Sequence, residues 1–222
     1  MNTQTIDETA GAGHAPSAGD AMAPIKVWDL PTRVFHWSLA ASFAGAYITS
    51  ESERWRDVHV LLGYTLAGLI AFRLVWGLIG TRYARFGDFL RGPAAVRDYL
   101  GSLLRLQPAH HVGHNPAGGW AIALLLGLAI LTGLAGWALY HDLGGHWLEE
   151  VHEALAATML TVVIVHVAGV LSGSLVHGEN LVRAMVNGRK DGTADEAIRS
   201  ARPFAGALLL AWVAVAGWWI AS

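Results

Sequence analysis

Glu149–His177 reads EEVHEALAATMLTVVIVHVAGVLSGSLVH. The stretch is apolar enough to sit in lipid, yet it carries His152 near one end and His166 further in. At 1.5 Å of rise and 100° of turn per residue, the two imidazoles lie about 21 Å apart along the axis and roughly 40° from eclipsed. They therefore share one face at two depths, separated by about two-thirds of a hydrocarbon core. Such a helix suits two metal centres stacked across a membrane, and its partners are to be sought elsewhere in the chain.

Working outward, the chain is 222 residues long, 54% hydrophobic and 14% charged. With several apolar runs near span length, this composition points to an integral membrane protein. There are no cysteines, which excludes disulfides, thiolate nucleophiles, iron–sulfur clusters and thioether-attached haem. Eleven histidines, by contrast, call for explanation.

Residues 1–24 are polar and rich in Ala, Gly and Pro, and they lack the basic and apolar regions of a secretory signal. They read as a disordered cytoplasmic tail that includes His14. Five spans are expected: Val34 to about Ser50, His59 to about Gly80, Gly119–Leu139, Val151 to about Gly173, and Phe204–Ile220. Residues 81–118 form a connector and 191–203 a linker. The fold expectation is all-α: one bundle of membrane-spanning helices, with an additional C-terminal transmembrane helix in 204–222.

Lys and Arg cluster in three segments that alternate to one side: before and at the start of the first span, in 81–118, and in 174–203. The other loops hold only Arg54 and Arg56, outweighed by acids. The positive-inside rule then places the N-terminus in the cytoplasm and the C-terminus outside.

This topology decides which histidines can meet. His36 begins the first span on the cytoplasmic side, and His59 begins the second on the outer side. The fourth span enters from outside, so His152 is shallow and His166 deep. Matched depth pairs His59 with His152 and His36 with His166; the opposite pairing would ask ligands about 20 Å apart to share a metal. Arg73 falls at the depth of the inner pair, where a haem propionate or another acid would compensate its charge. Four histidines paired this way read as axial ligands of two b-type haems. A zinc or copper site is disfavoured, because each pair offers only two protein ligands. Gly45, Gly63, Gly68, Gly169 and Gly173 suit either a macrocycle lying against the backbone or ordinary small-residue helix packing.

Five stretches carry a resemblance: KVWDLPTRVFHWSLAAS, HVLLGYTLAGLIAFRLVWGLIGTRYARF, GHNPAGGW, VHEALA with VVIVHVAGV, and HGENLVRAMVNGRK. Together they resemble the bacterial cytochrome b561 family, which groups with the b-type cytochrome subunits of nickel–iron hydrogenases and, more distantly, formate dehydrogenases. The resemblance covers about 25–190. It implies a four-helix diheme core ligated by His36, His59, His152 and His166. The fifth span departs from that pattern, and the ESERWRD loop is shorter than the family's often is.

By the same resemblance, Asn115 and Gly118 fall where formate dehydrogenase subunits hold a quinone, with Asn115 hydrogen-bonding a carbonyl. Capping of the third span by His-Asn-Pro is the equal alternative. His110, His111 and His114 read as a solvated loop rather than a small metal site. His177 reads as interfacial, and His141 and His146 as solvated beside acids.

The expected function is electron transfer between a periplasmic cytochrome c or a dehydrogenase or hydrogenase subunit and the quinone pool. A self-contained superoxide:quinone oxidoreductase is an alternative, although the acid-rich outer loops disfavour an anionic substrate. A non-redox helical anchor is another. The partners are thus a redox protein, quinone and the bilayer, with no nucleic acid; an oligomer is compatible with the sequence.

Overall fold

The computed structural model describes residues 22–105 and 111–221. The expectation of disorder for the tail concerns residues that lie, up to residue 21, outside that range. Among the described residues, α1 spans Leu30–Thr49, α2 Arg56–Ile79, α3 Phe86–Phe89 and α4 Pro93–Leu104. They are followed by α5 Pro116–Tyr140, α6 His146–His177, α7 Leu181–Asn187 and α8 Pro203–Ala221. Local signals explain the ends. Asp29 and Asn115 cap α1 and α5, each with proline at the first positions, where its missing N–H costs nothing. Gly178 and Gly188, at φ 65° and 80°, end α6 and α7 in the left-handed conformation.

Three of these segments are long and apolar enough to cross a membrane: Glu53–Ile79, Pro116–Tyr140 and His146–His177. The first expected span is the 20-residue helix α1, whose sequence also carries Arg33, His36 and several hydroxyls. The last is a shorter apolar helix. The helices pack in a row. α8 lies on α1 and α2, α1 on α2, α2 on α5, and α5 on α6. In lipid there is little hydrophobic gain between helices, so close contact of small residues with large ones carries the association. At Gly68 a Cβ would collide with the indole of Trp212, which seats α8 on α2. Leu209 of α8 joins Phe35, Leu69 and Leu126 in a buried cluster that links four helices.

The all-α expectation needs one correction. Ala23–Lys26 and Arg189–Gly192 form two short antiparallel strands, β1 and β2, in the register Ala23↔Gly192 to Lys26↔Arg189. The strand takes Ala23 and Pro24 from the expected tail. The expected linker is also built rather than open: it begins inside β2 and continues into a turn at Ala194–Glu196 closed by a capping box from Thr193. Ile25, Val27, Trp28, Val112 and Ala184 form a second core beneath the sheet, at the end of the bundle where α1 begins. Four-residue strands separated by most of the chain are too short for a period-2 signal.

Candidate functional site

Facing pairs of histidines are positioned by α2 and α6 at one level. His59 and His152 approach with ring centres 6.2 Å apart and planes at 74°. Each ring is oriented from behind by a backbone carbonyl: Nδ1 of His59 donates to Ala46 of α1 at 2.8 Å, and Nδ1 of His152 donates to Thr132 of α5 at 3.0 Å. A carbonyl only accepts, so the proton sits on Nδ1 and the lone pair on Nε2. Gly136, one turn beyond Thr132, leaves room for the imidazole; a Cβ there would sit 2.9 Å from Cε1 of His152. Metal–imidazole bonds of about 2 Å, with each ring centre roughly 1 Å beyond the nitrogen, put two axial imidazoles about 6 Å apart centre to centre. The donor chemistry and spacing at this level therefore fit a metal held axially between the two rings.

At the other level His36 is half-buried on α1, and its Nδ1 is shielded from solvent with no hydrogen-bond partner. His166 is half-buried on α6. α6 packs on α5 and α7 rather than extensively on α1 or α2, so His59 and His152 face each other between helices that are not in close contact.

The five glycines divide between the two readings. Gly45 lies against Leu62 and Gly68 against Trp212, which is helix packing, and Gly173 touches Leu181. Gly63 and Gly169, one turn beyond His59 and His166, have no neighbour within 4 Å of a built Cβ.

Arg73 is 3% exposed. Its guanidinium donates to the carbonyl of Ala84 at 2.9 Å and lies 4.7 Å from the ring centre of Phe86, 5.7 Å from Phe89 and 6.0 Å from Phe35. A carbonyl and aromatic faces thus surround the guanidinium, for which the sequence reading expected a haem propionate or another acid. Asp29, 1% exposed, acts electrostatically on Arg73 and is itself hydrogen-bonded to other groups. It accepts from Thr32 N at 2.8 Å, Trp76 Nε1 at 3.0 Å and Thr81 Oγ1 at 2.7 Å, clasping the start of α1 to the end of α2.

Asn115 is the N-cap of α5: its Oδ1 accepts from Gly118 N at 2.7 Å. The cap uses the amide oxygen and leaves the Nδ2 donor out of the motif. The solvated reading of the preceding loop is overturned for His114. Its ring packs between Trp28 and Phe89, with centres at 4.5 and 4.7 Å, and its Nδ1 is buried without a partner. Burial, reinforced by Arg73, Lys190, His166 and His36, pushes its pKa down to about 3. The hydrophobic environment comes from Trp28 and Phe89, far away in sequence, so the polar AHHVGHNP stretch gave no sign of it. His110 lies outside the described residues. The carbonyl of His111 accepts from Lys190 Nζ at 2.8 Å, and the same Nζ pairs with Glu179 at 3.1 Å in a nearly buried ion pair.

His177 is half-buried, with Nε2 3.4 Å from the hydroxyl of Tyr99. His141 and His146 are exposed as expected, and His146 contacts Glu149 and Glu150.

Residues 27–188 match the family described as prokaryotic cytochrome b561. A protein of Rhizobium leguminosarum bv. viciae named probable Ni/Fe-hydrogenase B-type cytochrome subunit is 23% identical, over 84% of this chain and 97% of its own length. One of the same name from Cupriavidus necator is 21% identical, over 85% of this chain and 96% of its own length. No solved structure gives a significant match.

Proposed function

The chain belongs to the prokaryotic cytochrome b561 family, and from that premise we propose that it is a diheme b-type cytochrome carrying electrons across the bacterial inner membrane. Its five helices α1, α2, α5, α6 and α8 span the bilayer, with the sheet end in the cytoplasm. The observation that carries this reading is the facing of His59 and His152 at 6.2 Å, with both Nδ1 atoms committed to carbonyls.

In this reading His59 and His152 hold the outer haem, and His36 and His166 the inner one. Haem b, when bound, supplies one-electron redox chemistry at the depth of each pair. The chain's own residues do the rest. Ala46 and Thr132 fix the tautomer and rotation of the outer ligands and raise their basicity. The two imidazoles of each pair would hold the haem iron from both sides, and iron so ligated would supply electron transfer rather than dioxygen chemistry. Arg73 at the inner level stabilises negative charge, including a propionate within reach of its remaining N–H groups. Asn115, through Nδ2, donates to a quinone carbonyl at the mouth of α5, and Gly118 holds the amide oxygen away.

The external partner is a nickel–iron hydrogenase, as the names of both relatives suggest, and the acceptor is the quinone pool. Pyridine haemochrome on the detergent-purified protein should give two b haems per chain. One haem would mean that a ligand pair is misassigned, and none would overturn the reading. Co-purification with a hydrogenase on affinity capture tests the partner; capture of the cytochrome without one under the same mild conditions counts against it.

A further inference from the structure

His114 belongs to neither ligand pair, and its surroundings are not those of a spacer. A phenylalanine would fill the gap between Trp28 and Phe89 equally well and would avoid a buried Nδ1 with no partner. An orphaned buried polar atom costs about 1–3 kcal/mol. On one side the ring lines a cavity of about 230 Å³. The cavity has room for several waters at about 30 Å³ each. Its charged and titratable walls are Arg82, Tyr83, Asp88, Arg91, His111 and Glu196, at the sheet end of the molecule. The charged and titratable groups that act on His114 electrostatically are Arg73 of α2, Lys190 of β2, His166 of α6 and His36 of α1. His114 therefore both lines a polar cavity at the sheet end and lies within electrostatic reach of the inner histidine pair.

We propose that His114 is the proton-transfer residue of this protein, passing protons from the cavity to a quinone reduced beside the inner pair. The proposal rests on the quinone reading above. Reduction of a quinone to its quinol takes two electrons and two protons, one proton for each carbonyl oxygen. The electrons come from the external redox partner by way of the haems, and the protons from cavity water. A neutral imidazole accepts a proton at one ring nitrogen and releases one from the other, so His114 ends each transfer as it began. Burial keeps it neutral at neutral pH, with one donor and one acceptor nitrogen.

The test uses the haem-loaded protein in detergent, with its haems reduced by dithionite and reoxidised by decylubiquinone in a stopped-flow spectrometer. His114→Phe keeps the aromatic stack and removes both nitrogens. It should retain two haems with unchanged spectra, yet reoxidise at least tenfold more slowly at pH 7; in His114→Gly, which leaves the ring's space open, added imidazole should restore much of the rate. If the variant loses haem, His114→Gln takes its place. A variant that reoxidises at the wild-type rate overturns the proposal, as does slowing of the glycine variant that imidazole does not relieve. Wild-type protein that carries two haems but is not oxidised by the quinone instead overturns the quinone reading, and the proposal with it.

Discussion

His59 and His152, on helices that do not pack closely on each other, face at 6.2 Å because each is turned by a carbonyl of a third helix: Ala46 of α1 behind one and Thr132 of α5 behind the other. α1 and α5 thus act as rails that set the imidazoles of α2 and α6. The arrangement places the cost of orientation on rigid helical backbone, which is why the site does not depend on loop geometry.

Removing either member of a pair should remove one centre. His152→Ala should lower the haem content from two to one per chain and leave the inner signal in the reduced-minus-oxidised spectrum. His166→Ala should do the reverse. Retention of two haems in either variant would refute the ligand assignment.

Gly136→Leu introduces a side chain where even a Cβ would press on the imidazole of His152. The ring must rotate off the Thr132 carbonyl or α6 must move. Redox titration should show the outer centre shifted or lost and the inner one unmoved. An unchanged outer centre would mean that Gly136 does not set the ring.

Gly68 and Trp212 test the seat of α8. Gly68→Val should destabilise the detergent-solubilised protein by about 1–3 kcal/mol, the range for forced overpacking. In a Trp212→Ala background the same change should cost much less, because the indole it collides with is gone. Equal costs in both backgrounds, read by thermal melting, would place α8 elsewhere.

Asp29→Ala removes a helix cap and strands the Trp76 and Thr81 donors at the α1–α2 junction. The cap contributes about 1 kcal/mol and each deserted donor about 1 kcal/mol or more, so a loss of about 2–4 kcal/mol is expected. Asp29→Asn keeps an acceptor and should lose less. A melting temperature equal to the wild type's in the alanine variant would show the clasp to be idle.

His114 also predicts acid lability. Its pKa falls on folding from the ordinary 6.5 to about 3, so between these values the unfolded chain binds a proton that the folded one does not. Its contribution to stability is thus full above about pH 6.5 and declines as pH falls toward 3. His114→Phe should melt with a shallower pH dependence across that window. Parallel curves for the two proteins would show that His114 does not carry this linkage.

How much of this was written in the sequence follows from what each feature depends on. Depth along a helix is local, since 1.5 Å per residue turns the spacing of His152 and His166 into two levels. The helix end at Asn115-Pro116 was likewise legible, because cap and proline act on their own neighbours, whereas α1 begins at Leu30, ahead of the Val34 expected from hydropathy. Which side of a helix meets what is not local. The carbonyls behind His59 and His152, the room left by Gly136, the aromatic faces around Arg73 and the indole over Gly68 all come from other helices. So do the burial of His114 and the pairing of Ala23 with Gly192. The sequence by itself determined a histidine-rich membrane bundle and the depths of its histidines, because hydropathy and helical rise are properties of one segment. Only the tertiary structure decided which groups orient His59 and His152 and that His114 packs between Trp28 and Phe89, because those contacts exist only once separate segments are packed together.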